Sequence, residues 1–372
     1  MQRTSFLSGL LILLVAGACR HTPSSQQTAA LPDSTGTGWA LMPFVKADSV
    51  NPVLTPAASQ VFRDPIWKKE VKWEEKDVFN PACVVRDGKI WMLYRAEDKL
   101  GKYAGVSRLG LAISNDGLHF KKEPAPVFYP SDDAWKKYEW EGGCEDPRVV
   151  EHPDGGYILT YTAYDGKTAR LLLATSKDLH TWTKYGPVLG EGKHLHTWSK
   201  SGAIIARRQG DRFVAEKING KYWMYFGDTS LFLASSDDLI HWTPLEDGKG
   251  GLAPVLRPRP GKFDGQLVEP GPFALLGEKG ILLIYNAATP NKTGALVYSA
   301  GQALFDAKDP SKLSARLAES FFVPDKPYEL TGQVNNVVFL EGLAPLKGKW
   351  FLYYGTADSK IAVAVADDQS DK

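Results

Sequence analysis

Five segments of this chain repeat one pattern, and that repetition constrains the fold more than any other feature. Each has a Gly in a turn, then an aromatic-aliphatic run that closes on Tyr, at residues 88–94, 156–161, 220–225, 280–285 and 348–353. Successive glycines stand about 60–68 residues apart. Three repeats continue into a second shared element, Leu-Ala-x-Ser-x-Asp followed by an aromatic, at residues 111–120, 173–182 and 233–242. That element reads as an apolar strand, a Ser/Asp turn and the aromatic that opens the next strand. None of these segments sustains a helical period. Strands in sheets of about four, repeated five times, predict an all-β chain folded as a five-bladed β-propeller. One such sheet cannot bury both faces alone, so blades stacked around an axis build the core. The Tyr and Trp residues of the five runs are expected to be mostly core. The length of the repeats leaves extra residues for loops at one rim, where function tends to sit.

The ends of the chain read differently. Arg3 and the apolar run over residues 6–18 form a basic start and a hydrophobic stretch too short to span a bilayer comfortably, as in a secretory signal. The run ends in Ala16-Gly17-Ala18-Cys19, which resembles a bacterial lipoprotein cleavage site with Cys19 as the lipidated residue. A plain secretory signal with an incidental Cys is the other reading. Residues 20–38 are rich in Ser, Thr, Gln, Pro and Gly and read as a flexible tether. The expected organisation is thus a signal over 1–19, a tether over 20–38 and one catalytic propeller over 39–368. The expected location is the periplasm or cell surface, with a lipid anchor in the membrane. Of the remaining cysteines, Cys83 and Cys144 read either as one disulfide or as two buried small hydrophobes. Lys+Arg 44 against Asp+Glu 43 leaves a net charge of +1, which excludes nucleic acid or an anionic membrane surface as the main partner. Aromatics at 11 % can line a groove with flat, half-polar rings of the kind that sugars stack on.

Polar residues cluster just after the apolar runs. The first repeat supplies Asn80, Arg95 and Asp98, and the link to the second carries Glu145-Asp146-Pro147-Arg148. Tyr164, Asp228, Asn286 and Asp358 follow the later runs, and Lys200, Glu216 and Glu269 lie nearby. In a propeller the matching strand ends converge on the axis, so these residues would form one pocket of carboxylates, amides and an Arg. Turns and solvated surfaces also favour such residues, so each one alone is a weak signal. In the Glu145–Arg148 motif the proline restricts the backbone before it, and an Arg can hold carboxylates bidentately.

Taken together, and in this order, Asn80-Pro81-Ala82, Leu93-Tyr94-Arg95-Ala96, Glu145-Asp146-Pro147-Arg148, the Ala-x-Ser-x-Asp-Leu repeats, Asp309-Pro310-Ser311-Lys312 and residues 353–358 resemble glycoside hydrolase family 130. That family contains inverting β-mannoside phosphorylases and β-mannosidases on a five-bladed propeller, and the resemblance runs from about residue 51 to 366. It implies Asp146 as general acid, passing its proton in the phosphorylases through a sugar hydroxyl. It implies Asn80, Arg95 and Asp358 near the mannose ring that is cleaved. Inversion leaves space between acid and attacking group for water or phosphate. No metal or other cofactor is expected, and the partner is a short β-mannoside.

Water or phosphate is the open point. The family's phosphorylases are expected to present four cationic positions, which here read Lys200, Gly227, Gln266 and Asn286, so only the first is kept. A pocket with fewer cations and more carboxylates repels phosphate, whereas a carboxylate can take a proton from water. The sequence therefore looks like the hydrolytic, β-1,2-mannosidase-type members. Glu269, in Val268-Glu269-Pro270-Gly271-Pro272, is favoured as base because its flanking prolines fix the backbone. Glu216 is the second candidate. Asp98, Glu145, Arg148, Tyr164, Lys200, Asp228 and Asn286 are expected to line the substrate site. Trp135, Trp140 and Trp198 are candidate stacking platforms in the outer loops. The competing readings are a phosphorylase using Arg148, Arg170 and Lys200 for phosphate, a carbohydrate-binding propeller without catalysis, and a five-bladed glycosidase for another sugar. Oligomeric state is not readable.

Overall fold

The computed structural model describes residues 36–103 and 105–368. The expected signal, the lipidation site Cys19 and most of the tether lie outside the described residues. Among the described residues the chain is all-β: apart from two four-residue helices, Lys136–Glu139 and Pro327–Leu330, the regular elements are strands.

Antiparallel pairing gathers most of the strands into five sets. The first is Asp77–Arg86, Lys89–Glu97, Ser107–Ser114 and Lys121–Lys122. The second is Gly143–Glu151, Tyr157–Tyr164, Ala169–Ser176 and Trp182–Pro187. The third is Ala203–Gln209, Tyr222–Phe226, Leu231–Ser236 and Trp242–Pro244. The fourth opens with two short pieces, Leu267–Pro270 and Ala274–Gly277, followed by Gly280–Pro290, Leu296–Phe305 and Leu313–Arg316. The fifth is Val338–Leu346, Lys349–Thr356 and Lys360–Asp367, completed by the N-terminal strand Val45–Lys46. Short parallel pairings run between sets, as at Ser107 with Gly143 and Ile205 with Ala274.

Each repeat run is the second strand of its set. Its closing tyrosine, Tyr94, Tyr161, Tyr225, Tyr285 or Tyr353, is fully buried. Every one of these hydroxyls donates to an oxygen, respectively of Glu74, Glu139, Pro310, Asp264 and Gly117, at 2.6–2.9 Å. A buried phenol needs such a partner. The apolar side chains form clusters shared between sets: one joins the first and fifth, another the first and second, and another the third and fourth. Cys83 and Cys144 are free and buried, so the hydrophobe reading of the pair holds.

The first strands carry the feature that builds the site. Their register breaks between Phe79 and Pro81, between Glu145 and Arg148, and between Leu340 and Gly342. The residues thrown out of register are Asn80, Asp146 with Pro147, and Glu341. In the fourth set the first strand is itself interrupted after Glu269 and Pro270. Asn80, Asp146 and Ser201 have φ of 49°, 46° and 59°, the left-handed region that non-glycine residues rarely occupy. β-bulges re-aim side chains in this way and recur beside active sites.

Candidate active site

Of these irregular positions, Asn80, Asp146 and Glu269 meet at one cavity of about 170 Å³, lined also by Arg95, Lys200 and Asp358. Asp146 is at its centre. Its Oδ1 accepts from Asn80 Nδ2 at 2.8 Å and from Arg95 Nη1 at 3.0 Å. Its Oδ2 lies 3.8 Å from Lys200 Nζ. The same ammonium lies 3.5 Å from Glu269 Oε1, which also accepts from the Ser201 hydroxyl. The sum of the two Lys200 distances bounds the Asp146 Oδ2 to Glu269 Oε1 separation at about 7 Å. Arg95 divides its remaining donors among Glu97 at 2.7 Å, Glu145 at 3.0 Å and the Ser107 hydroxyl at 3.0 Å.

The electrostatics follow from a simple imbalance. Around the cavity the carboxyls of Glu145, Asp146, Glu269, Glu341 and Asp358 outnumber the cations Arg95, Arg148 and Lys200, so not all of them can ionise together. Burial disfavours the Asp146 charge, but Arg95, Lys200 and Arg148, with the Asn80 hydrogen bond, outweigh it and hold the carboxyl below its usual range. Burial and the neighbouring Asp146 push Glu145 up to about 7 against the pull of Arg95. Burial pushes Asp358 up to about 7 as well, with Arg95 opposing. Glu269 is raised by burial, with Lys200 and Arg148 working against the rise. Lys200 stays protonated because Glu269, Asp146 and Asp228 overcome the cost of burying it. Asp146 is thus held as a carboxylate, beside Glu145 and Asp358, which keep their protons up to about pH 7.

Several residues expected at the site are elsewhere. Glu216 follows the short strand Arg212–Ala215 and pairs with Arg207 at 2.7 Å on the same hairpin, away from the cavity. Asp98 is fully buried and serves the loop: it pairs with Arg108 at 2.7 Å and accepts from the backbone of Leu100 and Val106. Asn286 is buried and spends its amide on the backbone of Leu340, accepting at 2.7 Å and donating at 3.0 Å. Arg148 is buried behind the cavity, and Glu145 contacts Arg95 rather than the open space. Arg170 pairs with Asp165 at 2.7 Å and is committed there. Asp228 and Tyr164 flank Trp198: the Trp198 indole donates to Asp228 at 2.6 Å, and the Tyr164 ring meets it edge-on at 6.3 Å. Trp198 is 48 % exposed, so it keeps a face for a ligand. Trp140 instead packs edge-on against Trp67 at 5.3 Å, and Trp135 packs on the core shared by the first and second sets.

Sequence reasoning also missed residues. Phe79, Tyr298, Gln333, Val334, Val337 and Phe339 complete the cavity wall. Ser201 and Glu341 sit at the bend positions of the third and fifth sets. Their signal was equivalence with Asn80 and Asp146, obscured because the following hairpins differ in length.

Paired carboxyls, a shared ammonium and an Arg-anchored carboxylate in a small cavity on an all-β frame make this the candidate site for acid–base chemistry. A family model described as beta-1,4-mannooligosaccharide phosphorylase matches residues 51–370. The chain belongs to that family, glycoside hydrolase family 130. It is 36 % identical over 309 residues to a 1,2-beta-oligomannan phosphorylase of Thermoanaerobacter sp. strain X514, covering 81 % of this chain and 93 % of the relative. A glycosyl hydrolase structure from Bacteroides ovatus superposes with a TM-score of 0.85 at 46 % identity, covering 88 % of this chain and 94 % of that one. Another solved structure, from work describing hydrolases within this family that target beta-1,2 mannosidic linkages in Candida mannan, gives a TM-score of 0.86 at 44 % identity, with 92 % and 97 % covered.

Proposed function

We propose that this protein is an inverting β-mannosidase that hydrolyses β-1,2-mannosidic linkages in short oligosaccharides. One observation carries the choice of water over phosphate: each cation lining the cavity already faces two or more carboxylates. Arg95 is shared by Glu97, Glu145 and Asp146, and Lys200 stands between Asp146 and Glu269. A phosphate would have to compete with carboxylates for both, and it would face Asp358 as well. The resemblance to structures described as hydrolases at 44–46 % identity, above the 36 % to the named phosphorylase, supports the same reading.

In this reading Glu269 takes a proton from water as the water oxygen attacks the anomeric carbon. The glycosidic bond breaks, and the leaving oxygen gains a proton delivered through Asp146. A raised pKa makes Glu269 the stronger base. Arg95, Lys200 and Arg148 hold Asp146 ionised, so the proton is drawn from Glu145 or Asp358 once the sugar excludes water and raises the cost of the Asp146 charge. The five antiparallel sets are read as five blades around an axis, within a single catalytic domain over 39–368. The protein is read as exported and anchored through lipid on Cys19, which labelling with a radioactive fatty acid tests.

The deciding experiment incubates the enzyme with β-1,2-mannobiose with and without phosphate. Mannose released at the same rate in both, first as the α-anomer by NMR, is expected. Accumulation of mannose 1-phosphate would reject hydrolysis.

A further inference from the structure

Behind the cavity lies a carboxyl that the mechanism does not use. Glu341 occupies the register break of the fifth set, the position held by Asn80 and Asp146 in the first and second. Its side chain is fully buried, and neither carboxylate oxygen has a hydrogen-bond partner among the described residues. Burying such a group without compensation is costly, so its retention asks for a reason. The group beside it is Arg148, whose Nη2 stands 3.1 Å from Glu341 Oε1, at ion-pair distance but off the axis of a hydrogen bond.

Arg148 touches the backbone beneath both reacting carboxyls. Its Nη1 donates to the carbonyl of Asp146 at 3.1 Å. Its Nη2 donates to the carbonyl of Pro270 at 2.8 Å, and its Nε to that of Gly271 at 3.0 Å, directly after Glu269. One guanidinium from the second set therefore clamps the bend that presents Asp146 to the bend that presents Glu269. Glu341, from the fifth set, backs that guanidinium from the other side.

We propose that Arg148 and Glu341 are a positioning pair that fixes the separation of Asp146 and Glu269, and with it the space for the attacking water. The inference rests on the hydrolytic reading for its nucleophile, but the clamp would act on whichever nucleophile enters. Inverting enzymes need roughly 6.5–9.5 Å between the two carboxyls, and the Lys200 distances cap the Asp146 Oδ2 to Glu269 Oε1 separation at about 7 Å, so any drift of the two bends acts on a space that is already small. A shift of about 1 Å in either bend is enough to cost two orders of magnitude in rate. The charged groups acting on Glu341 are Arg148, Asp146, Glu269 and Lys200, and burial outweighs them and pushes its carboxyl up. What the geometry gives Glu341 is volume and contact: it fills the space against the Arg148 guanidinium at 3.1 Å.

The test compares Glu341→Gln, Glu341→Ala and Arg148→Lys in the full-length protein. Initial rates are followed for whatever product the wild type forms, so the outcome is independent of the water-or-phosphate question. Thermal melts show which variants are folded. Glu341→Gln, neutral and of the same shape, is expected to keep kcat and KM within about threefold of wild type. Glu341→Ala and Arg148→Lys are expected to lose about 100-fold in kcat with KM within about threefold, because the sugar contacts stay while the reacting groups drift. Folded Glu341→Ala with wild-type kcat would overturn the proposal, as would Glu341→Gln falling as far as Glu341→Ala. A loss carried by KM rather than kcat would also overturn it. If Glu341→Ala does not fold, Glu341→Gln and Arg148→Lys decide alone.

Discussion

Asp146 and Glu269 share one ammonium but have opposite electrostatic settings, one held ionised and the other pushed toward neutrality. Removing either ionisable group should leave binding largely intact and remove the chemistry. Asp146→Asn and Glu269→Gln are each expected to lower kcat by about 10³-fold, within the range for a positioned acid or base. Wild-type rates in either variant would remove that residue from the mechanism. Asp358 gives a separate prediction in stability. Its folded pKa of about 7 lies above its ordinary value, so between about pH 4 and pH 7 the native state binds a proton that the unfolded chain has released. Stability contributed by this group is therefore fully present below the ordinary carboxylate pKa and is lost as pH rises through 7. Asp358→Asn removes that loss. Its stability, followed by thermal melts, should gain on wild type from pH 5 to pH 8 by an amount on the order of 2 kcal/mol for this half-buried group. A parallel pH dependence in the two proteins would show that Asp358 titrates normally. At this scale the sequence was legible where chemistry and motif coincided, as at Asp146, Arg95 and Lys200. It misled where a polar residue had a local partner: Glu216 faces Arg207 across its own hairpin, and Asn286 is consumed by the Leu340 backbone.

The strand sets were readable because tyrosine-ended runs and Ser-x-Asp turns are local signals. Ser114, Ser176 and Ser236 each reach the Asp two residues on, and that Asp accepts the next backbone N–H groups. The bends in the first strands were not readable, because a register break is a relation between two strands and leaves no fixed spacing in one. Gly143 shows how tightly such a bend is built. It sits just before Glu145 and Asp146 with φ of 120°, and a Cβ there would lie 2.3 Å from the backbone oxygen of Ser107. Backbone of the neighbouring set cannot swing aside as a side chain can. Gly143→Ala should therefore destabilise the protein by about 3 kcal/mol through combined strain and overpacking. It should also lower activity in the folded fraction, because the displaced strand carries both acids. A melting temperature within a degree of wild type would contradict this account of the bend.

The chain's own beginning completes the last set. Val45–Lys46 pairs with Lys360–Asp367, and Asn51 extends the seam by exchanging two hydrogen bonds of 2.9 Å with Val363. A two-residue strand has no period to detect, so nothing in the sequence announced this closure. The seam also reaches the active site. Lys46 donates at 2.7 Å to Glu329, a buried carboxyl in the helix Pro327–Leu330 that also accepts from the Tyr354 hydroxyl at 2.9 Å. The Glu329 carbonyl then holds the backbone of Val337 at 3.0 Å, and Gln333, Val334 and Val337 form one wall of the cavity. Lys46→Met removes the cation and leaves the buried carboxyl with neutral donors, at a cost of about 3 kcal/mol. In the proposed reading this wall faces the sugar and not the reacting carboxyls, so KM should rise several-fold while kcat changes little. Deleting residues 1–49 goes further, since it exposes the edge of Lys360–Asp367. An open edge strand of this kind recruits other chains, so the truncated protein should self-associate in light scattering where Lys46→Met stays as wild type. If Lys46→Met instead lowers kcat with KM unchanged, the seam acts on the reacting carboxyls and not on the wall.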